Sequence, residues 1–200
     1  MRVVVPGASG QLGKEVVAQL QSLGETVIPL TRQEMDLNLK ETISTCINDL
    51  SPDVVINCAA YTQVDQAESD PEAAYTVNQR SVRELALISR GIKAVFVHIS
   101  TDFVFDGSKS CPYTEEDHPY PVNVYGASKL AGEKEVLDLC PQSLLLRTSW
   151  LYNHEGHNFV QTILRLAKER EIIRVVDDQI GSPTCVKDLA QVILTLLKNE

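Results

Sequence analysis

The sequence predicts an α/β fold, a doubly wound parallel sheet with helices on both faces, on three observations. Short β-branched runs alternate with amphipathic helical stretches along its 200 residues, the pattern of βαβ units with right-handed crossovers. A glycine turn, GASGQLG at 7–13, follows the first run directly and opens the first helix. Residues capable of chemistry stand just after strand-like runs, and in parallel sheets ligands bind beyond the carboxyl ends of the strands.

Each element has a local reason. The run 2–5 (RVVV) is β-branched, and residues 11–23 form an amphipathic stretch that Gly24 closes. Residues 26–30 read as the second strand. Ser51-Pro52 ends a helical stretch, and DVVIN at 53–57 reads as a buried strand. Asp70-Pro71-Glu72 supplies an N-cap, a proline at the first helical position and an acid in the first turn. That helix is expected to run to about Arg90, with Gly91 as its stop. Residues 94–100 form a strand, and 101–122 an unusually long polar loop, a length that in compact domains usually signals function. A helix from about Val124, a strand at 144–148, a helix near 158–168, a short strand at Val175-Val176 and a final helix over 186–198 complete the pattern.

Composition narrows the function. The chain is 44% hydrophobic and 22% charged, which is globular, and its net charge of −9 argues against nucleic acid or an anionic membrane as partner. No apolar stretch approaches the length that spans a bilayer, and the N-terminal run is too short for a signal peptide. Cys46, Cys58, Cys111, Cys140 and Cys185 are odd in number and lack a C-x-x-C pair. They read as free thiols in a reducing cytoplasm.

A phosphate site in such a chain rests on backbone amides. Gly7, Gly10 and Gly13 have the spacing G-x-x-G-x-x-G. They provide a tight turn, close approach of backbone to a diphosphate, and close helix–strand packing. The helix N-terminus adds free N–H groups and partial positive charge. Pro6 removes one N–H just before the turn. After the second strand, Arg32 tolerates a ribose 2′-phosphate, so the expected cofactor is NADPH or NADH, and Asp36 is within reach of the adenine edge. For both residues, a solvated loop is the alternative.

Tyr125 and Lys129 are four residues apart in VYGASK and share one helix face. With a cofactor on the same rim, Tyr125 can donate a proton to a carbonyl oxygen while hydride reaches the carbonyl carbon. The ordinary phenol pKa of about 10 keeps it protonated at neutral pH. The Lys129 ammonium is expected to stabilise the tyrosinate left behind and to hold ribose hydroxyls. Thr101 offers a further hydroxyl near the same oxygen.

Six blocks in order, GASGQLG, INCAAYTQVDQAE, STDFVFDG, VYGASKLAGE, LLLRTSWLY and VVDDQIGSPT, resemble the extended short-chain dehydrogenase/reductases. Within that group they are most similar to the dTDP-4-dehydrorhamnose reductase family. The resemblance implies a Rossmann-like fold and NAD(P)H-dependent reduction of the 4-keto group of a dTDP-linked 6-deoxysugar, with a homodimer as a possible assembly. It implies that Gly10, Gln11 and Leu12 contact the cofactor diphosphate and that Asp36 and Leu37 contact its adenosine part. Ala60, Tyr61 and Thr62 would border the cofactor. Thr101, Tyr125 and Lys129 would be the catalytic group, Thr101 and Asp102 would touch the sugar, and Trp150 would contact substrate. Trp150 by itself reads as core. Family members continue past the GSPT block with a substrate-binding part. The expectation is therefore a single NAD(P)-binding domain over 1–200, with a cofactor core to about residue 150. Residues 151–200 would then begin an incomplete substrate region, in a fragment or a shortened member.

Other motifs read less productively. HEGH at 154–157 misses the H-E-x-x-H zinc spacing and carries a glycine, so no metal site is expected there. Glu115, Glu116 and Asp117 form an acidic loop more simply than a cation site. Ser9 lacks the flanking pattern of a nucleophile elbow. A cofactor-binding scaffold without turnover, and an epimerase or dehydratase that recycles its cofactor, are the competing functions.

Overall fold

A computed structural model describes residues 1–156 and 158–198. Strands β1 (Arg2–Pro6), β2 (Thr26–Leu30), β3 (Val54–Asn57), β4 (Val95–Thr101) and β5 (Leu144–Thr148) form one parallel sheet in the order β2-β1-β3-β4-β5. The direction of winding reverses between β1 and β3, which opens a crevice at their carboxyl ends. Pro29 lies in the edge strand β2, where a missing ladder N–H is tolerated.

The two-residue period of the strands sorts the core. Val3, Val5, Val54, Ile56, Val97 and Ile99 face one side, against α1 (Gln11–Ser22) and α8 (Val186–Leu197). Val4, Val55 and Phe96 face the other. There they meet α2 (Lys40–Leu50), α5 (Ser81–Ile92) and α6 (Val124–Leu139). Both faces are thus covered, as a parallel sheet requires.

Before α5 the chain makes two short helices, α3 (Val64–Ser69) and α4 (Pro71–Tyr75). Asp70 caps α4 by accepting a hydrogen bond from Ala73 N at 3.2 Å. One wide π turn over Thr76–Arg80 then joins α4 to α5. Beyond β5, the pair β6 (Leu151–Tyr152) and β7 (Thr184–Cys185) is parallel, and α7 (Phe159–Glu169) lies between them in sequence. Asn158 caps α7 by accepting from Gln161 N at 3.0 Å.

Two expectations fail. Gly91 does not stop its helix: α5 continues to Ile92, which packs on the core, and Lys93 takes the left-handed turn at φ 58°. Val175 and Val176 form no strand and stand exposed. Two apolar residues between Arg174 and Asp177 bury too little to hold a strand. None of the helices among the described residues is long and apolar enough to cross a membrane.

Candidate active site

The glycine turn is built on absent side chains. Gly7 adopts φ 77°, and a Cβ there would lie 2.6 Å from Ala59 N at the end of β3. Its amide and that of Ala8 both donate to Leu30 O, at 2.9 and 3.1 Å, which ties the turn to β2. A Cβ on Gly13 would come 2.2 Å from Gly7 O, so Gly13 lets α1 press onto the turn. Gly10 caps α1 without a side chain, and the first turn of that helix lines a cleft of about 1090 Å³.

The cleft lies beyond the strand ends and collects the predicted residues. Gly7, Gly10, Gln11, Leu12, Arg32, Asp36, Leu37, Ala60, Tyr61, Thr62, Thr101, Asp102, Tyr125, Lys129 and Trp150 all line it. Gly13 does not; it sits beneath the turn, where it lets α1 pack against Gly7 O. At the β2 end, Arg32 is largely exposed and its Nε lies 3.7 Å from Asp36 Oδ2. Asp36 also accepts from Asn38, through backbone N at 2.9 Å and Nδ2 at 2.7 Å. These bonds, the backbone one foremost, hold its carboxyl below the usual range. Its carboxylate is already well provided with donors.

At the opposite end, Asn123 caps α6 by accepting from Gly126 N at 2.7 Å, and a Cβ on Gly126 would meet Phe103 O at 2.1 Å. This close approach sets Tyr125 against the segment after β4. Its ring meets Phe103 edge-on at 5.5 Å, and its phenol hydrogen-bonds the Thr101 hydroxyl. Thr101 Oγ1 donates to Asp102 Oδ1 at 3.1 Å and accepts from Phe103 N at 3.2 Å. Burial pushes the Asp102 carboxyl upward.

Lys129 is 2% exposed, and its Nζ donates to Ile99 O at 2.7 Å. Burial lowers its pKa to about 8. The Tyr125 phenol moves up, because burial outweighs the bond to Thr101. The ammonium donates to a strand carbonyl, and low polarity around the phenol favours its neutral form.

Asn78 was missed in the sequence. It projects inward from the π turn, its Oδ1 accepts from Tyr61 N at 2.9 Å, and its Nδ2 donates to Tyr61 O and to Ser128 Oγ, both at 3.0 Å. Ser128 Oγ donates to Tyr125 O at 2.7 Å. One buried amide thus fastens the loop after β3 to the tyrosine helix. A Cβ on Gly132 would stand 2.1 Å from Asn78 O, so that glycine lets α6 approach the π turn. Only the close spacing of Gly126 and Gly132 in one helix hints at this contact.

Trp150 is not core: it is 42% exposed, at φ 46°, with its indole lying against Gly181. Asp117 is bound by Lys109 at 2.6 Å and by Thr114 N at 2.7 Å, as part of an ordered loop. His154 is exposed beside Glu155, and His157 lies outside the described residues. Among the described residues, no three His, Cys, Asp or Glu side chains group as metal ligands.

The donor set fits a dinucleotide. The amino end of α1, capped by Gly10 without a side chain, opens onto the cleft, where its backbone N–H groups can meet a diphosphate. In addition, the hydroxyls of Tyr61, Ser100 and Thr148, all on cleft-lining residues, are buried without hydrogen-bond partners.

Comparison with known proteins agrees. The family model described as the RmlD substrate binding domain matches residues 1–200. The chain belongs to this family. It is 50% identical over 190 residues to a dTDP-4-dehydrorhamnose reductase of Burkholderia thailandensis, covering 95% of this chain and 63% of that protein. A crystal structure of a dTDP-4-dehydrorhamnose reductase from Clostridium acetobutylicum superposes with TM-score 0.96 at 41% identity, over 100% of this chain and 71% of that one. A Bacillus anthracis dTDP-4-dehydrorhamnose reductase in complex with NADP gives 0.95 at 44%, over 98% and 70%. The chain therefore spans less than two thirds of the Burkholderia relative's length. The fold is Rossmann-like, as the sequence implied.

Proposed function

We propose that the protein is an NAD(P)H-dependent reductase of the 4-keto group of a dTDP-linked 6-deoxysugar, forming the dTDP-L-rhamnose type of product. The observation that carries this reading is the convergence, on one cleft, of the glycine cradle and the Thr101/Tyr125/Lys129 group. The similarity to dTDP-4-dehydrorhamnose reductases, one of them in complex with NADP, supports it.

In this reading Gly7, Gly10, Gln11 and Leu12 hold the diphosphate, and Arg32, Asp36 and Leu37 take the adenosine end. Ala60, Tyr61 and Thr62 border the middle of the cofactor. When bound, the reduced nicotinamide supplies hydride to the carbonyl carbon. Tyr125 Oη gives its proton to the carbonyl oxygen, and its raised pKa keeps it protonated before the step. Lys129, fixed on Ile99 O, stands as the cation that offsets the tyrosinate and holds ribose hydroxyls. Thr101 orients the phenol, Thr101 and Asp102 receive the sugar, and the exposed face of Trp150 contacts substrate. Residues 1–150 are the cofactor core, and 151 onward begins the substrate side.

The test mixes the protein with NADPH or NADH and dTDP-4-dehydro-6-deoxy-L-mannose. Reduced-cofactor absorbance should fall in proportion to sugar consumed. Sugar conversion with cofactor recycled would favour an epimerase or dehydratase, and cofactor binding without turnover would favour the scaffold reading.

A further inference from the structure

At the start of α7, far along the chain from the glycine turn, stands Asn158, 7% exposed. Its Oδ1 accepts from Gln161 N at 3.0 Å, the ordinary work of a helix cap. Its Nδ2 reaches further. It donates to Asn153 O at 3.0 Å, to Glu155 O at 3.3 Å and, 147 positions back in the sequence, to Gln11 Oε1 at 3.1 Å. An amide nitrogen carries two hydrogens, so these three acceptors share them. Gln161 Nε2 donates to the carbonyl between, His154 O, at 2.8 Å. Three successive loop carbonyls are therefore held from the first turn of α7.

This loop is part of the cleft. Asn153, His154, Glu155 and Gly156 line it together with Gly7, Gly10 and Gln11, whereas Asn158 does not. Gly156 adjoins the Gln11 side chain: a Cβ on it would stand 3.6 Å from Gln11 Cγ. Gln11 is the first residue of α1, at the helix end that faces the cleft. One buried amide thus joins the wall at 153–156 to the amino end of α1.

We propose that Asn158 is a positioning residue for the dinucleotide: by tying residues 153–156 to Gln11, it fixes the cleft wall beside the glycine turn and so sets affinity for the diphosphate. The inference deepens the reductase reading and rests on it for the place of the diphosphate. Capping alone does not account for the residue. Serine and aspartate cap helices as well as asparagine does, but among these only asparagine adds an NH₂ group. A polar side chain this buried keeps its partners, and three of the four bonded here belong to cleft-lining residues.

The test separates the clasp from the cap. Asn158→Ser keeps a capping oxygen and loses the NH₂ group. Gln11→Met keeps the bulk of the partner and loses its acceptor. The first measurement needs no nucleotide: the Asn158 side-chain amide signals are followed by NMR in ¹⁵N-labelled protein and assigned by their loss in Asn158→Ser. In Gln11→Met they should shift, and unmoved signals overturn the clasp. The second is calorimetric titration with NADPH and with adenosine 2′,5′-bisphosphate, which has the adenosine end of the cofactor and no diphosphate bridge. Asn158→Ser should weaken NADPH by about 10-fold, the scale of a hydrogen bond or two, and leave the bisphosphate unchanged. The double variant should bind NADPH no more weakly than Gln11→Met alone, because both changes break one contact. Unchanged NADPH affinity in Asn158→Ser, equal weakening of both ligands, or fully multiplied losses in the double variant overturn the positioning role. Gln11→Met carries the binding comparison if Asn158→Ser fails to fold, with the same loss confined to NADPH expected. Failure of the wild type to bind NADPH would count against the dinucleotide reading, while the amide signals still report on the clasp by themselves.

Discussion

Replacing Lys129 with methionine should reveal a charge held against its solvation preference. The side chain is 2% exposed, and burial lowers its pKa from 10.5 to about 8. That difference corresponds to about 3 kcal/mol. The unfolded chain binds the proton more tightly between about pH 8 and 10.5, so this residue makes folded-state stability rise with pH through that window. Below about pH 8 the full penalty is present. Methionine has similar volume and no charge, so the penalty disappears, while the bond to Ile99 O is lost. Urea unfolding followed by far-ultraviolet circular dichroism, at intervals from pH 6.5 to 9.5, measures the difference between variant and wild type. The variant's relative stability should be flat below pH 8 and decline above it by about 1.4 kcal/mol per pH unit. This slope is independent of any constant packing difference. A difference that stays level across pH 8–9.5, or climbs, refutes the buried-cation reasoning.

Other expectations concern neighbouring parts of the cleft. Tyr125→Phe should lower turnover by about 10²–10⁴-fold, the usual contribution of a positioned acid, while NADPH still binds; steady-state rates and a binding titration check both halves. Gly13→Ala drives a Cβ into the Gly7 carbonyl and should destabilise by about 2 kcal/mol. Gly10→Ala, whose Cβ would lie 3.2 Å from the same oxygen, should unfold at nearly the wild-type urea midpoint. Asn78→Ala leaves the Tyr61 amide and carbonyl without their partner and should cost about 3 kcal/mol in denaturant unfolding.

Much of the architecture was legible because the signals are local. The Asp70-Pro71 helix start, the Gly24 stop and the β-branched runs each state their conformation within a few residues, and the structure follows them. The cleft residues were legible because a parallel sheet sends its strand ends to one rim. What escaped depends on contacts distant in sequence. The β6–β7 pair joins residues more than thirty positions apart through two short runs with no strand signal of their own. Asn78 looks like any helical asparagine until the π turn rotates it inward beneath Tyr61. Helix spacing was enough to place Tyr125 and Lys129 on one cleft, but spacing cannot show that Ile99 O accepts from the ammonium or that burial raises the phenol. Trp150 misled for the opposite reason, since a lone tryptophan suggests core, yet its left-handed backbone turns it to the cleft mouth.

The most direct test of the dinucleotide cleft uses Trp150, the chain's single tryptophan and part of the cleft lining. Its emission is recorded while NADPH is titrated into wild type and into Gly7→Val, a substitution that forces a side chain toward Ala59 N from a backbone at φ 77°. Wild type should show saturable quenching at one equivalent, reversed by excess NADP⁺, and the folded variant should show none. Absence of saturable quenching in wild type, or unchanged quenching in Gly7→Val, would contradict the assignment of this cleft to the cofactor.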